Sequence, residues 1–191
     1  MHIYLVRHTL YHNPENIYAF HLPLYLSPEG RKHAGRVGDW FKNNVSSAIP
    51  IYTSPIVRTV QTAEIIASIN NFQVQTDERL IESFCPNLQG KKQPEDDEVA
   101  WKMQCADSSR ESSESTQKRT VKCFQEKLAE GKDYILVSHG DPLTALYYHL
   151  INKSLVPCLF DDEHIDIYIK RGEIVEVQVL EDGYHIERIK V

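Results

Sequence analysis

Short apolar runs alternate with longer stretches of helical spacing through most of this chain, and that alternation constrains the fold more than any other feature. Residues 2–6 read as a buried strand, residues 49–53 as a second, 72–75 as a third and 134–137 as a fourth. Ser27-Pro28 opens a helix running to about Asn44, because a serine oxygen accepts an orphan amide and proline suits the first helical position. Its apolar face is Ala34, Val37, Trp40 and Phe41. Ser54-Pro55 repeats the signal for a helix to about Ile69, with Ile56, Val60, Ala63, Ile66 and Ala67 inward. Residues 94–131 are helical but weakly amphipathic. A serine-rich, charged break at 106–115 reads there as a surface loop, and Gly131 as a stop. One more helix follows the fourth strand to about Ile151. The alternation of Ile165, Ile167 and Ile169, then of Ile174, Val175, Val177 and Val179, reads as antiparallel hairpins turning at Arg171-Gly172 and Asp182-Gly183.

Strands that alternate with helices imply a mainly parallel sheet covered on both faces. The expected fold is therefore α/β: a three-layer sandwich with a mainly parallel central sheet, helices on both faces and antiparallel strands at the C-terminal end. With 191 residues, 41% of them hydrophobic, and no visible repeat or linker, a single domain over residues 1–191 is expected.

Composition narrows the function classes. No apolar window reaches the length of a spanning helix, and the N-terminus lacks a signal-peptide pattern, so a cytoplasmic protein with no membrane partner is expected. A formal charge of −6 disfavours nucleic acid as a partner but permits a small cationic pocket. Cys85, Cys105, Cys123 and Cys158 show no CxxC pair, so no zinc site is supported and reduced, structural thiols are expected. The C-terminal hairpins offer an edge on which a homodimer could form.

Chemistry concentrates after the strands. Arg7-His8 and His139 each follow an apolar run directly, Arg58 falls in the first turn of a helix after another, and Glu82 lies in a loop after a fourth. In open α/β sheets the crevice beyond the strands' carboxyl ends is the ligand site, which brings these five to one edge. Two guanidiniums and an imidazole make a donor-rich cradle for a phosphoryl dianion. A second, neutral imidazole can attack phosphorus, and a protonatable carboxyl can serve the leaving oxygen. No metal and no cofactor is called for: the sequence has no HExxH, no metal-type acidic cluster and no P-loop.

The segments LVRHT (5–9), SPIVRTVQTAEII (54–66), RLIESFCPNLQG (79–90) and VSHGDPL (137–143) resemble, in order, the motifs of the histidine phosphatase superfamily, the phosphoglycerate mutase-like group. LSPEGRKHAGRVGDWF resembles that family's first helix. The resemblance implies His8 as the nucleophile, Arg7, Arg58 and His139 as phosphate-binding groups, and Glu82 as the general acid. It relates Asn13, one residue early, to an asparagine that contacts phosphate. Thr9 replaces the usual glycine, where its hydroxyl either contributes to the pocket or narrows it. His21 stands where an acidic residue is common before Pro-Leu, and residues 84–87 lack the family's glycine.

Each residue also has a plainer reading: His8 as a strand-end cap, Arg58 as a partner of Glu64, Glu82 as a solvated carboxylate. His2, His33, His149, His164 and His185 read as surface or core-edge residues, whereas the loop carrying His12 and His21 is expected to overhang the pocket. The expected activity is hydrolysis of a phosphomonoester through phosphohistidine, with a small phosphorylated metabolite as partner. The alternatives are a cofactor-dependent phosphoglycerate mutase-type transfer, disfavoured by the modest 91–131 segment without an arginine pair, and a non-catalytic binding module. The sequence does not choose among sugar phosphates, phosphoglycerates, ribazole phosphate and phosphohistidine proteins.

Overall fold

The strand β1 (His2–Arg7) is central to the chain, flanked by a parallel strand on one side and an antiparallel strand on the other. The computed structural model describes residues 1–160 and 165–191. Its sheet has the order β3-β2-β4-β1-β5-β6, built from β2 (Ile51–Thr53), β3 (Val74–Thr76), β4 (Tyr134–Ser138), β5 (Ile174–Leu180) and β6 (Gly183–Ile189). The first four strands of that order are parallel, and the last two are antiparallel. The α/β sandwich expected from the alternation is the fold observed.

Period-2 alternation in β1 divides the core. Ile3 and Leu5 pack with Phe124 of α4 (Ser113–Leu128) and Leu143 and Leu146 of α5 (Gly140–Leu150). Tyr4 and Val6 point the other way, onto Val37 and Phe41 of α1 (Pro28–Asn44) and Ala63 and Ile66 of α2 (Val57–Asn70). Both faces of β1, β2 and β4 are thus dry, which is why they read as apolar runs, whereas the edge strand β3 is largely exposed.

Several boundaries differ from the sequence reading, each for a local reason. Ser27 caps α1 as expected, its oxygen accepting from Gly30 N at 3.0 Å. Ser54 does not cap α2: the helix starts at Val57, with Ile56 at the cap position, and Ser54 Oγ accepts from Ile56 N instead. That displacement turns Thr59 and Thr62 inward and leaves Val60 half-buried. Residues 165–169 are turns, not a strand. Both edges of β5 are already taken by β1 and β6, and Arg188 donates to the carbonyls of Asp166, Ile167 and Tyr168, the groups a neighbouring strand would have satisfied. Only the β5–β6 hairpin of the expected set forms. His164 lies outside the described residues.

The helix α3 (Asp97–Ala106) buries only Ala100 along its length. At its end Cys105 is disulfide-bonded to Cys158, with Cα atoms 5.6 Å apart, so the expectation of four reduced thiols fails for this pair. A separation of 53 residues hid a contact that only tertiary packing creates. Cys85 and Cys123 are free and buried. Among the described residues no helix is long and apolar enough to cross a membrane.

Candidate active site

The parallel strands deliver their last residues to one edge of the sheet. His8 follows β1, His139 follows β4, and Arg58 occupies the first turn of α2 just after β2. All three are essentially buried, at 2%, 0% and 2% exposure. Backbone pairing sets the registry: His8 N donates to Ser138 O at 2.9 Å, and Ser54 N to Val137 O at 3.1 Å. The imidazoles of His8 and His139 sit edge to face with centroids 5.2 Å apart.

Hydrogen bonding assigns the proton on each ring. His8 Nδ1 lies 2.8 Å from Thr9 O, and a carbonyl only accepts, so Nδ1 carries the hydrogen. Arg58 Nε donates to His8 Nε2 at 3.2 Å, which makes Nε2 the bare lone pair. His139 follows the same logic: Nδ1 accepts from Arg58 Nη2 at 3.1 Å, and Nε2 donates to Ser54 Oγ at 2.8 Å. Burial, then Arg58, hold both rings well below the ordinary histidine value, so both are neutral across the physiological range.

Among the described residues neither Arg7 nor Arg58 has a carboxylate within ion-pair distance. Arg58 donates to Phe20 O at 2.6 Å and Leu22 O at 3.3 Å, and Arg7 Nη1 donates to Ile169 O at 2.8 Å with its guanidinium over the Tyr168 ring. Backbone carbonyls fix the forks in place and leave the positive charge uncancelled. The expected Arg58–Glu64 pair does not form: Glu64 is exposed, and the Arg58 guanidinium faces the site.

Glu82 reaches the same place from the loop after a 3-10 turn at Glu78–Leu80. Its Oε2 lies 4.0 Å from His139 Nδ1, and its Oε1 accepts from Ser83 N. Burial, reinforced by the Asp141 charge, raises its pKa to about 7 against the pull of Arg58 and Arg7. Asp141 is itself buried and saturated: Arg110 donates to it at 3.0 Å, Tyr168 OH at 3.0 Å, and Ser83 OH by a short contact.

A cavity of about 650 Å³ opens over these groups, lined by Arg7, His8, Arg58, Glu82 and Asp141 at the sheet edge. Its walls include Tyr18 and Phe20 from the early loop and Trp101 from α3, with Lys170 and Arg171 also lining it. The volume suits a small organic ligand. Among the described residues no set of three His, Cys, Asp or Glu could hold a metal ion.

Of the six site residues read from sequence, five converge, and His139 reaches the others through Arg58 and Glu82. Asn13 lines the cavity, but its amide is engaged at both ends with the backbone of Ile17, donating to the carbonyl and accepting from the amide. It shapes the loop, and one N–H of its amide is left beyond the bond to Ile17. The Thr9 hydroxyl neither enters the pocket nor narrows it: it donates to Gly30 O at 2.8 Å and ties the end of β1 to α1. Glycine would lose that tie. His21 is not among the residues lining the cavity: it donates to the Glu82 carbonyl at 2.9 Å and stacks on Phe84, so it holds the Glu82 loop. His12 is exposed and does not line the cavity.

Sequence reasoning missed Asp141, Arg110, Tyr168, Lys170 and Arg171. Asp141 had a signal, its place two residues after His139 in a helix's first turn. Arg110 had none. It sits in the serine-rich break read as a solvated loop, yet its side chain is 6% exposed and paired with Asp141.

The family model of the histidine phosphatase superfamily (branch 1) matches residues 3–190. This chain belongs to that superfamily. A 2,3-bisphosphoglycerate-dependent phosphoglycerate mutase from Thermoplasma acidophilum is 30% identical over 133 residues, covering 67% of this chain and 62% of the mutase. The match thus spans under two thirds of that relative's length. Among solved structures, Bacillus stearothermophilus YhfR superposes with a TM-score of 0.79 at 22% identity, covering 97% of this chain and 94% of its own. The α-ribazole phosphatase from Shigella flexneri gives 0.76 at 20% identity, covering 98% and 95%. A mycobacterial glucosyl-3-phosphoglycerate phosphatase gives 0.76 at 18% identity, covering 98% and 96%. These likenesses are ones of fold.

Proposed function

We propose that this histidine phosphatase superfamily member hydrolyses phosphomonoesters through a covalent phosphohistidine at His8. The observation that carries the reading is the state of His8: its Nε2 is unprotonated, buried and held by Arg58 Nε, while Glu82 close by titrates near neutrality. A nucleophile must be neutral and a general acid protonated at one pH, and here two environments push the two groups apart in that sense.

In the first step a bond forms from Nε2 to phosphorus and the ester P–O bond breaks. The Glu82 proton passes to the leaving oxygen. Arg7 and Arg58 stabilise charge on the equatorial oxygens, and His139, held between Arg58 Nη2 and Ser54 Oγ, fixes the Arg58 fork beside His8. In the second step water attacks phosphorus, Glu82 takes its proton, the N–P bond breaks and inorganic phosphate leaves. The leaving-group alcohol is a small phosphorylated metabolite's own hydroxyl, in keeping with the cavity volume.

The mutase relative supports a second reading, in which the phosphoryl group returns to the product instead of passing to water. Incubation with 3-phosphoglycerate and with p-nitrophenyl phosphate separates the two. Release of inorganic phosphate from both, with an acid-labile phosphoenzyme mapping to His8, is the expected result. Efficient isomerisation with little free phosphate would refute hydrolysis.

A further inference from the structure

The cavity holds more positive charge than one phosphoryl group can answer. Four cations line it: Arg7, Arg58, Lys170 and Arg171. Three carboxyl groups line it as well, but two of them cancel little. Glu82 titrates near 7, and Asp141 is engaged by Arg110 from outside the lining. Among the described residues that line it, Asp97, exposed on α3, is the one remaining counter-charge. A phosphoryl dianion seated against His8 answers Arg7 and Arg58. Lys170 and Arg171 are left over, and among the described residues neither is within ion-pair distance of a carboxylate.

Their placement is a consequence of the fold. Ile169 is fully buried, and the turn at Gly172, with φ +73°, brings the chain into β5 beside the end of β1, where Gly172 N donates to Arg7 O at 3.0 Å. The pair between them is thereby held at the mouth, with solvent-exposed side chains, while His8 lies at the floor. Tyr11 links floor and mouth. The Arg58 guanidinium lies 5.2 Å from its ring centroid and the Arg171 guanidinium 4.9 Å, so the two charges cannot be further apart than those distances together. Arg171 is also close enough to act on His8 electrostatically.

We propose that Arg171, with Lys170 beside it, forms a second anion subsite at the mouth, and that the chain selects compact phosphomonoesters whose alcohol portion carries another negative charge. The subsite rests on the phosphomonoester reading of the same cavity. A guanidinium fork suits a carboxylate or a second phosphate alike. The mouth position means that the group it reads stays on the leaving alcohol, so Arg171 sets specificity and is not a group that acts on phosphorus.

The test uses the His8→Ala protein, which cannot turn over, so that affinity is read apart from hydrolysis. Titration calorimetry compares glycerol 3-phosphate with 3-phosphoglycerate, in which a carboxylate replaces the terminal CH₂OH, and with 1,3-propanediol bisphosphate. The expected result is about tenfold or tighter binding of one or both doubly charged ligands, the difference between them telling carboxylate from phosphate. Adding Arg171→Gln should narrow that ratio to about twofold, one charged contact being worth roughly a factor of ten. Equal affinities for all three ligands overturn the subsite, as does a ratio that survives Arg171→Gln. Phosphate release by the intact chain is measured in parallel. If it fails while the affinity ratio holds, the hydrolase reading falls and the subsite stands.

Discussion

Two groups of arginines in this molecule follow opposite charge logic. Arg79 is bound to Asp77 at 2.6 Å and Glu126 at 2.8 Å, while Arg119 is bound to Glu111 at 2.9 Å and caps the Arg79 carbonyl at 2.7 Å. Every guanidinium there faces a carboxylate. Arg7 and Arg58 face backbone carbonyls and neutral imidazoles, which orient them and leave their charge unspent. The first group joins the 3-10 turn, α4 and the segment before it; the second is the pair proposed to bind the phosphoryl group. A buried cation without its counter-ion is destabilising until something binds, so its persistence marks a binding site more reliably than its proximity to a cavity does.

Mutations in the two groups should therefore separate activity from stability. The largest effect belongs to His8→Ala: turnover falls by about 10⁴-fold or more, as for removal of other covalent nucleophiles. The protein stays folded by circular dichroism. Retained phosphatase activity would mean that the nucleophile lies elsewhere.

Arg58→Met is next. Phosphate-release kinetics should show kcat/KM down by about 10²–10³-fold, the usual cost of a lost oxyanion donor. The melting temperature should change little, because relief of like charge between Arg58 and Arg7 offsets the lost contacts to the Phe20 and Leu22 carbonyls and to the two imidazoles. Arg79→Met should do the reverse, leaving kcat/KM within a few-fold and lowering stability by about 1–2 kcal/mol, after allowance for the partial exposure of Arg79 and Glu126. If both variants lose activity alike, the division between the two groups of arginines does not hold.

Glu82 supplies the pH dependence. A general acid with a pKa of about 7 is protonated below that value, so kcat/KM should fall as pH rises through about 7. The acid limb belongs to His8, whose pKa is held well below the ordinary value, and lies well under pH 6.5. Glu82→Gln should remove the basic limb and slow alkyl phosphates by about 10²-fold while slowing p-nitrophenyl phosphate less, since that leaving group needs little protonation. Asp141→Asn should move the limb to lower pH by removing the charge that helps to keep Glu82 protonated.

The smallest effect is on acid stability. Asp77 has its pKa lowered to about 2, chiefly by hydrogen bonds from Arg79. A depressed carboxylate adds stability that is present above its ordinary value near 3.8 and is lost as pH falls toward 2. Equilibrium unfolding of Asp77→Asn should show that slope flattened, with the curve unchanged above pH 5.

Much of the site was legible in the chain because it sits where strands end. Arg7, His8 and His139 follow apolar runs, and Arg58 follows a proline-marked turn, so strand polarity alone places them together. Glu82 was legible by its loop. What stayed hidden depends on side chains reaching across sequence. Arg110 reads as a loop residue until α5 brings Asp141 beneath it, and Cys105 reads as a lone thiol until the segment after α5 brings Cys158 within bonding distance. Residues 165–169 have the alternation of a strand, but Arg188 satisfies the carbonyls of Asp166, Ile167 and Tyr168, and both sides of β5 are taken by β1 and β6.

The opening feature, apolar runs alternating with helical spacing, determined the sheet's parallel half, its two covered faces and the edge that carries the chemistry. It could do so because burial periodicity and strand polarity are local properties written in consecutive residues. The tertiary structure alone decided which nitrogen of His8 carries the proton, that Thr9 points to α1, that Asn13 closes on its own loop, and that Arg171 joins the cavity. The Thr9–Gly30 tie and the Arg171–Tyr11 contact join residues far apart in sequence, and even the local bonds, His8 Nδ1 to the Thr9 carbonyl and Asn13 to Ile17, depend on the backbone path that packing imposes.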